Sequence, residues 1–287
     1  MLNIEPLHPL FGGRVTNADL RQPLEDVLRA EIVALMDQYA VLVFPGQFLN
    51  QDQQVHFTQS FGDLDKGFKR VSRAPTRFKY DELLDMSNVA PDGTIVDRAH
   101  KKIVGNIANQ LWHTDSSFQK PSAKYSVLTA VVVTPSGGET EFIDSRVAYD
   151  RLPESMKTTL DGLVAEHDSL HSRIALGDGN YDEQQRIVFP PVKWPVVREQ
   201  KETGRKFLYI GAHARAIDGL TTAEARMLLM DLLEIASHPD LIYRHNWNVG
   251  DVVMWDNQIT LHRGRRFDLS ARRELRRTTT LDLSAAA

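Results

Sequence analysis

Apolar positions along this chain change their spacing in a way that separates helices from strands. After Pro23-Leu24-Glu25-Asp26, apolar residues fall at Val27, Ile32, Leu35 and Met36, the spacing of one helical face. Val41-Leu42-Val43-Phe44 follows with no polar residue, a short strand ended by Pro45-Gly46. Asn50 is placed to cap a second helix that runs through Phe57 and ends near Gly62. From Gly67 to Asn109 the periodicity fades into Lys, Arg, Pro and Asp, with a turn at Pro91-Asp92-Gly93. So long an aperiodic stretch predicts a lid or binding loop, with a mobile surface insertion as the plainer alternative.

Beyond it the pattern becomes strand-like. Tyr125 to Val133 and Thr140 to Ile143 read as strands around a Pro135-Ser136-Gly137-Gly138 turn. Phe207 to Ile210, Leu241 to Tyr243, Val252 to Trp255 and Thr278 to Leu283 continue the set. Helices are expected from about Pro153 to Leu163 and from Thr221 to Ser237, the second opened by a capping box of Thr221 and Glu224. No repeat, low-complexity run or Gly/Ser-rich linker divides residues 1–287, so one domain is expected, with a lid-like insertion around 67–109. The fold class is mainly β with peripheral helices, a β-sandwich or jelly roll.

Composition narrows the chemistry. A hydrophobic fraction of 42% and a charged fraction of 25% are those of a packed globular chain. The net charge of −4 is too small to steer the protein to nucleic acid or membrane, so neither partner is expected. There is no cysteine, which removes disulfides, thiolate metal sites and thiol nucleophiles. Any metal must sit on His, Asp or Glu. The N-terminus carries no secretory pattern and the strongly apolar stretch from Val127 to Val133 is far short of the ~20 residues a span needs. A cytoplasmic protein is the expectation.

Trp112-His113-Thr114-Asp115 offers two metal donors two residues apart, which an extended backbone points to the same side. A His-x-Asp triplet arises readily by chance in a chain with 10 histidines, and surface or hydrogen-bonded histidines are the ordinary case. The third donor is best sought at His262, just after the strand ending at Trp255. Two histidines and one carboxylate on one face of an octahedron are the ligand set of Fe(II) oxygenases. Arg273 lies eleven residues after His262 in a basic run from Arg263 to Arg277, and its fork suits the distal carboxylate of a dicarboxylic cosubstrate. Thr140, in Gly137-Gly138-Glu139-Thr140, has a hydroxyl able to donate to the same group. A solvated basic face is the competing account of the arginines.

These motifs, in this order, closely resemble the taurine dioxygenase group of 2-oxoglutarate-dependent dioxygenases, and its phenoxyacetate-cleaving branch in particular. The likeness extends over nearly the whole chain, through Asn109-Gln110-Leu111, Ser116-Ser117-Phe118, Gly211-Ala212-His213 and Ser270 to Arg277. The resemblance implies a double-stranded β-helix (jelly roll) core, Fe(II) on His113, Asp115 and His262, and 2-oxoglutarate and O2 as cosubstrates. It implies Thr140 and Arg273 on the distal carboxylate of 2-oxoglutarate, and Arg277 as a second arginine near cosubstrate and substrate. The implied reaction hydroxylates the carbon between the ether oxygen and the carboxylate of an aryloxyalkanoate. The product collapses to a phenol and an oxo-acid such as glyoxylate, beside succinate and CO2. The substrate is then a small-molecule carboxylate, for which Arg277, His213, Lys69 and Arg70 are the candidate contacts, with Phe68 and Phe118 for its ring. A homo-oligomer is expected, with Met227 to Leu233 serving core or interface. A second metal on His167 and His171, four residues apart, is disfavoured because no His-Glu-x-x-His pattern accompanies them. Rival functions are the same chemistry on a sulfonate, a sulfate ester or another carboxylate, a zinc hydrolase, and a non-catalytic jelly-roll binding module.

Overall fold

The fold, taken from a computed structural model, is described for residues 1–67, 76–179, 181, 187 and 189–283. Its larger sheet orders seven strands as β1 (Ile4–Pro6), β2 (Gly13–Val15), β3 (Val41–Phe44), β13 (Val252–Asp256), β5 (Ala123–Val132), β15 (Glu274–Leu281) and β4 (Leu84–Asp85). A three-stranded sheet of β12 (Tyr243–His245), β6 (Thr140–Asp144) and β14 (Thr260–Gly264) packs against it. A second three-stranded sheet holds β11 (Ala214–Ile217), β7 (Val164–His167) and β8 (Val192–Pro195), and β9 (Val197–Glu199) pairs with β10 (Lys206–Leu208).

The period of two explains why β3 and β13 carry no polar break. Val41 and Val43 pack inward with Val253, Trp255, Leu128 and Leu275, and Phe142 of the opposite sheet meets Trp255 edge to face at 5.5 Å. Leu42, Phe44, Val252 and Met254 point the other way, onto Ile32 and Met36 of α1 (Asp26–Tyr39) and Phe57 of α2 (Gln51–Gln59). Both faces of the sheet are therefore dry. The Asn50 cap is present as a full capping box with Gln53.

Several boundaries differ from the sequence expectation. Leu241 ends a short 3-10 turn, and the strand begins at Tyr243. The strand at Phe207 stops at Leu208. The last strand starts at Glu274 rather than Thr278, because its arginines do not lie on one solvated face. Leu275 enters the core and Arg277 turns toward Asp115, whereas Arg276 points to the other side and donates to the Leu49 carbonyl. The described part of the 67–109 stretch, from 76 onward, is less irregular than expected, holding β4, α3 (Lys101–Ile107) and the start of a 3-10 turn at Ala108–Gln110. Three further short helices, α4 (Ser145–Asp150), α5 (Glu154–Leu160) and α6 (His171–Ala175), precede α7 (Thr222–Ala236), which buries Leu229 and Leu232 but exposes Met227 and Met230. None of the described helices is long and apolar enough to cross a membrane.

His167 and His171 do not share a helix face. His167 closes β7 and His171 opens α6. His167 is buried against Tyr209, its Nδ1 3.1 Å from the Ser117 hydroxyl. Burial, with Arg198 adding to it, pulls its pKa from 6.5 down to about 3. The unfolded chain then binds a proton that the folded one refuses, so stability falls as pH drops from about 6.5 toward 3. Denaturant midpoints taken across that window are expected to slope less in His167→Asn; an unchanged slope would count against it.

Candidate functional site

The cluster forms where an irregular segment is laid along β14. His113 and His262 exchange backbone hydrogen bonds of 3.0 and 2.9 Å, forming an isolated bridge that carries Trp112 to Asp115 beside the strand. His262 lies inside β14 rather than after a strand, opposite Phe142 in register. Thr140 sits two residues from Phe142 on the same inward face of β6. Gly211 lets the loop after β10 press onto this segment. Its φ is +127°, and a Cβ there would lie 3.1 Å from the His113 Cα. The Ala212 N–H donates to the Trp112 carbonyl at 2.8 Å, which sets His213 beside His113.

Donor atoms of His113, Asp115 and His262 all lie within 4.8 Å of one another, and the three side chains are buried. His113 Nε2 is 3.8 Å and His262 Nε2 3.7 Å from the Asp115 carboxylate oxygens. His113 Nδ1 lies 2.8 Å from the Leu111 carbonyl, so that nitrogen carries the proton and Nε2 presents its lone pair. Burial lowers the pKa of His113 against the pull of Asp115, and burial with His113 pushes that of His262 well down. Burial alone would neutralise Asp115, but Arg277 and then the two histidines hold its carboxyl down at about 2. Neutral imidazoles and an ionised carboxylate are the protonation states that metal coordination requires.

A hydrogen-bond chain aims the carboxylate. Ser126 donates to Asp115 Oδ2 at 2.8 Å, Asn257 donates to the Ser126 hydroxyl at 2.8 Å, and Trp255 donates to the Asn257 Oδ1 at 2.9 Å. Arg277 donates to the other oxygen, Oδ1. Sequence reading missed Ser126 and Asn257, although a serine within an apolar strand signals a buried partner.

Two cavities meet at this cluster. The larger, about 390 Å³, is lined by His113, His262, Thr140, Trp255, Arg273 and Arg277, with Ile103, Asn106 and Ile107 of α3 over it. Arg273 is half-buried and makes no ion pair among the described residues: its guanidinium donates to the carbonyls of Gly138 and Met86 and lies over the Phe267 ring. Burial pulls its pKa down to about 10, opposed by Glu139, which leaves it charged near neutrality. Gly138 is required beside it: with φ at +75°, a Cβ would come within 2.8 Å of the Arg273 Nε. A half-buried cation without a counter-ion among the described residues, sharing a cavity with a hydroxyl, suits an anionic ligand.

That hydroxyl is itself oriented. Trp247 donates its indole N–H to Thr140 Oγ1 at 3.1 Å, which leaves the Thr140 proton for a partner in the larger cavity. Trp247→Phe is expected to raise the KM for 2-oxoglutarate several-fold, on the order of 1 kcal/mol, without changing the KM of the primary substrate. Equal changes in both would contradict this.

The smaller cavity, about 140 Å³, is lined by His113, Asp115, Phe118, Arg173, His213 and Arg277 among others. His213 stands edge-on to Phe118 at 4.9 Å and to His113 at 6.2 Å. Burial, then His113, push its pKa well below the ordinary value. Arg277 borders both cavities. Phe68, Lys69 and Arg70 lie outside the described residues. Arg173 was not anticipated from the sequence.

Residues 3–279 match the family model described as taurine catabolism dioxygenase TauD, TfdA family. The chain is 58% identical over 277 residues, 96% of each protein, to the alpha-ketoglutarate-dependent 2,4-dichlorophenoxyacetate dioxygenase of Cupriavidus pinatubonensis. It is 37% identical to the (S)-phenoxypropionate/alpha-ketoglutarate-dioxygenase of Sphingobium herbicidovorans, over 94% of this chain and 92% of that one. A crystal structure of AAD-2 in complex with Mn(II) and N-oxalylglycine matches with a TM-score of 0.90 and 40% identity, covering 98% and 97% of the two chains. The two packed sheets are the jelly roll that these relatives share.

Proposed function

The chain belongs to the taurine catabolism dioxygenase TauD, TfdA family, and from that premise we propose that His113, Asp115 and His262 hold Fe(II) between a 2-oxoglutarate cavity and an aryloxyalkanoate cavity. It is an alpha-ketoglutarate-dependent dioxygenase, an oxidoreductase acting on a small-molecule carboxylate. The observation that carries the residue assignment is the meeting of three metal-ready donors within 4.8 Å on the wall of a cavity that also holds the half-buried Arg273, which has no ion pair among the described residues.

Bound iron supplies the activation of O2, coupled to decarboxylation of 2-oxoglutarate to succinate and CO2 and to hydroxylation of the substrate. The rest falls to the side chains. Arg273 and Thr140 take the distal carboxylate of 2-oxoglutarate and fix its length in the larger cavity. Ser126 and Arg277 hold Asp115 so that it turns one geometry toward the metal. His213, Phe118 and Arg277 border the substrate, and α3 walls the cosubstrate cavity through Ile103, Asn106 and Ile107 and limits water there. Lys69 and Arg70 complete the proposed substrate contacts. Hydroxylation at the carbon between the ether oxygen and the carboxylate gives a hemiacetal, which expels the phenol and leaves glyoxylate when the substrate is a phenoxyacetate. The same proposal places the chain in the cytoplasm as a homo-oligomer, with the exposed Met227 and Met230 of α7 as apolar surface for a second copy.

The test is succinate and phenol release with Fe(II), 2-oxoglutarate and 2,4-dichlorophenoxyacetate. Stoichiometric phenol and succinate are expected. Succinate stimulated by a sulfonate or sulfate ester, with none from phenoxyacetates, would overturn the substrate assignment and leave the reaction class standing.

A further inference from the structure

A third cavity, of about 110 Å³, adjoins the larger one at Arg273, which lines both. The turn from Val133 to Glu139 and the segment Asn246-Trp247 form the rest of its wall. Thr140 lines the larger cavity and Trp247 the third, and the 3.1 Å hydrogen bond from the indole joins them. At this point the partition is one pair of side chains thick. Trp247 is held there from behind. His245 stands perpendicular to its ring at 4.5 Å, with Nδ1 3.1 Å from the Tyr243 hydroxyl and Nε2 3.2 Å from Asp251 Oδ2. Asp251 also accepts from the Asn248 N–H at 2.9 Å, one residue beyond Trp247. His245 and Asp251 are buried, and the reaction assigned above uses neither. Their contacts instead fix the segment that carries the indole.

We propose that Trp247 is the length gauge of the cosubstrate site: its indole closes the larger cavity behind Thr140, so that a five-carbon 2-oxo diacid fits and a six-carbon one is disfavoured. This rests on the assignment of 2-oxoglutarate to the larger cavity above. With the indole gone, the third cavity becomes continuous with the larger one. A carboxylate set one methylene further out then still meets Arg273, because that residue borders both spaces. One methylene against a fixed wall is worth roughly 10- to 200-fold in discrimination. Trp247 is a specificity residue on this account, and His245 and Asp251 are positioning residues that act through it.

The experiment titrates Fe(II)-loaded protein anaerobically with 2-oxoglutarate and with 2-oxoadipate, one methylene longer, and reads the charge-transfer band as a dissociation constant. Wild type is expected to favour 2-oxoglutarate at least about 10-fold. Trp247→Ala is expected to cut that preference roughly tenfold. Trp247→Phe, which keeps a ring and loses the N–H, is expected to weaken both acids alike and hold the preference within about 2-fold of wild type. A merely structural role would move both acids together in every variant. Wild type that binds the two acids equally, a preference unchanged in Trp247→Ala, or one lowered as much in Trp247→Phe, overturns the gauge. Should Trp247→Ala fold poorly, Trp247→Leu decides by the same ratio: a reduced preference supports the gauge and an unchanged one overturns it. Wild type that gives no band with 2-oxoglutarate overturns the parent assignment instead, so the two failures are distinguishable.

Discussion

Asp115→Ala is expected to lower turnover by roughly three orders of magnitude or more and to weaken metal binding at least about a hundredfold. Asp115 is the anionic member of the donor set, and its charge is held in place by Arg277 and the Ser126 hydroxyl. Its loss removes a ligand and leaves the Arg277 guanidinium, only 15% exposed, without its carboxylate. Breaking one side of such a pair costs about 3 kcal/mol. The metal-free variant should therefore also melt earlier, a readout independent of catalysis. Asp115→Asn, which can still accept from Ser126, should lose metal affinity with a smaller loss of stability. A variant that keeps wild-type metal affinity would remove Asp115 from the donor set.

Arg273→Gln is expected to raise the KM for 2-oxoglutarate by about two orders of magnitude, the loss of two charge-assisted hydrogen bonds worth roughly 3 kcal/mol together. Arg273 is half-buried without an ion pair among the described residues, so its side chain is already partly desolvated before the ligand arrives. Part of the cost of burying a cation is thus met in the folded protein, and a carboxylate placed there recovers it. Turnover at saturating 2-oxoglutarate should change far less, and the KM of the primary substrate should stay within about 2-fold, since Arg273 lines only the larger of the two cavities. A steady-state analysis varying each substrate in turn checks this. Comparable rises in both KM values would mean that Arg273 supports the whole site rather than the cosubstrate.

How much of this was legible in the sequence depended on the range of the interaction. His113 and Asp115 were readable as a pair because an extended backbone repeats every two residues. Their connection to His262 was not, since it rests on a bridge between residues 149 positions apart in the chain, formed by backbone groups that every residue carries. Resemblance to a family supplied that link where spacing could not. The strands β3, β5 and β13 announced themselves by apolar runs, whereas β15 hid behind its arginines: alternation sends Arg276 and Arg277 to opposite faces, and a linear reading merges them into one basic patch. Trp247 and Ser126 act by donating one hydrogen bond each to a site residue far away in sequence, a role no local pattern encodes.

If one cluster holds metal, 2-oxoglutarate and an aryloxyalkanoate side by side, the iron should report the arrival of each ligand. Anaerobic visible spectroscopy reads this, with 2,4-dichlorophenoxyacetate titrated into protein loaded with Fe(II) and 2-oxoglutarate. A weak charge-transfer band is expected on loading, shifting and sharpening as the phenoxyacetate saturates, and lost in Asp115→Ala. No band in the wild-type protein, or a band indifferent to the phenoxyacetate, would contradict it.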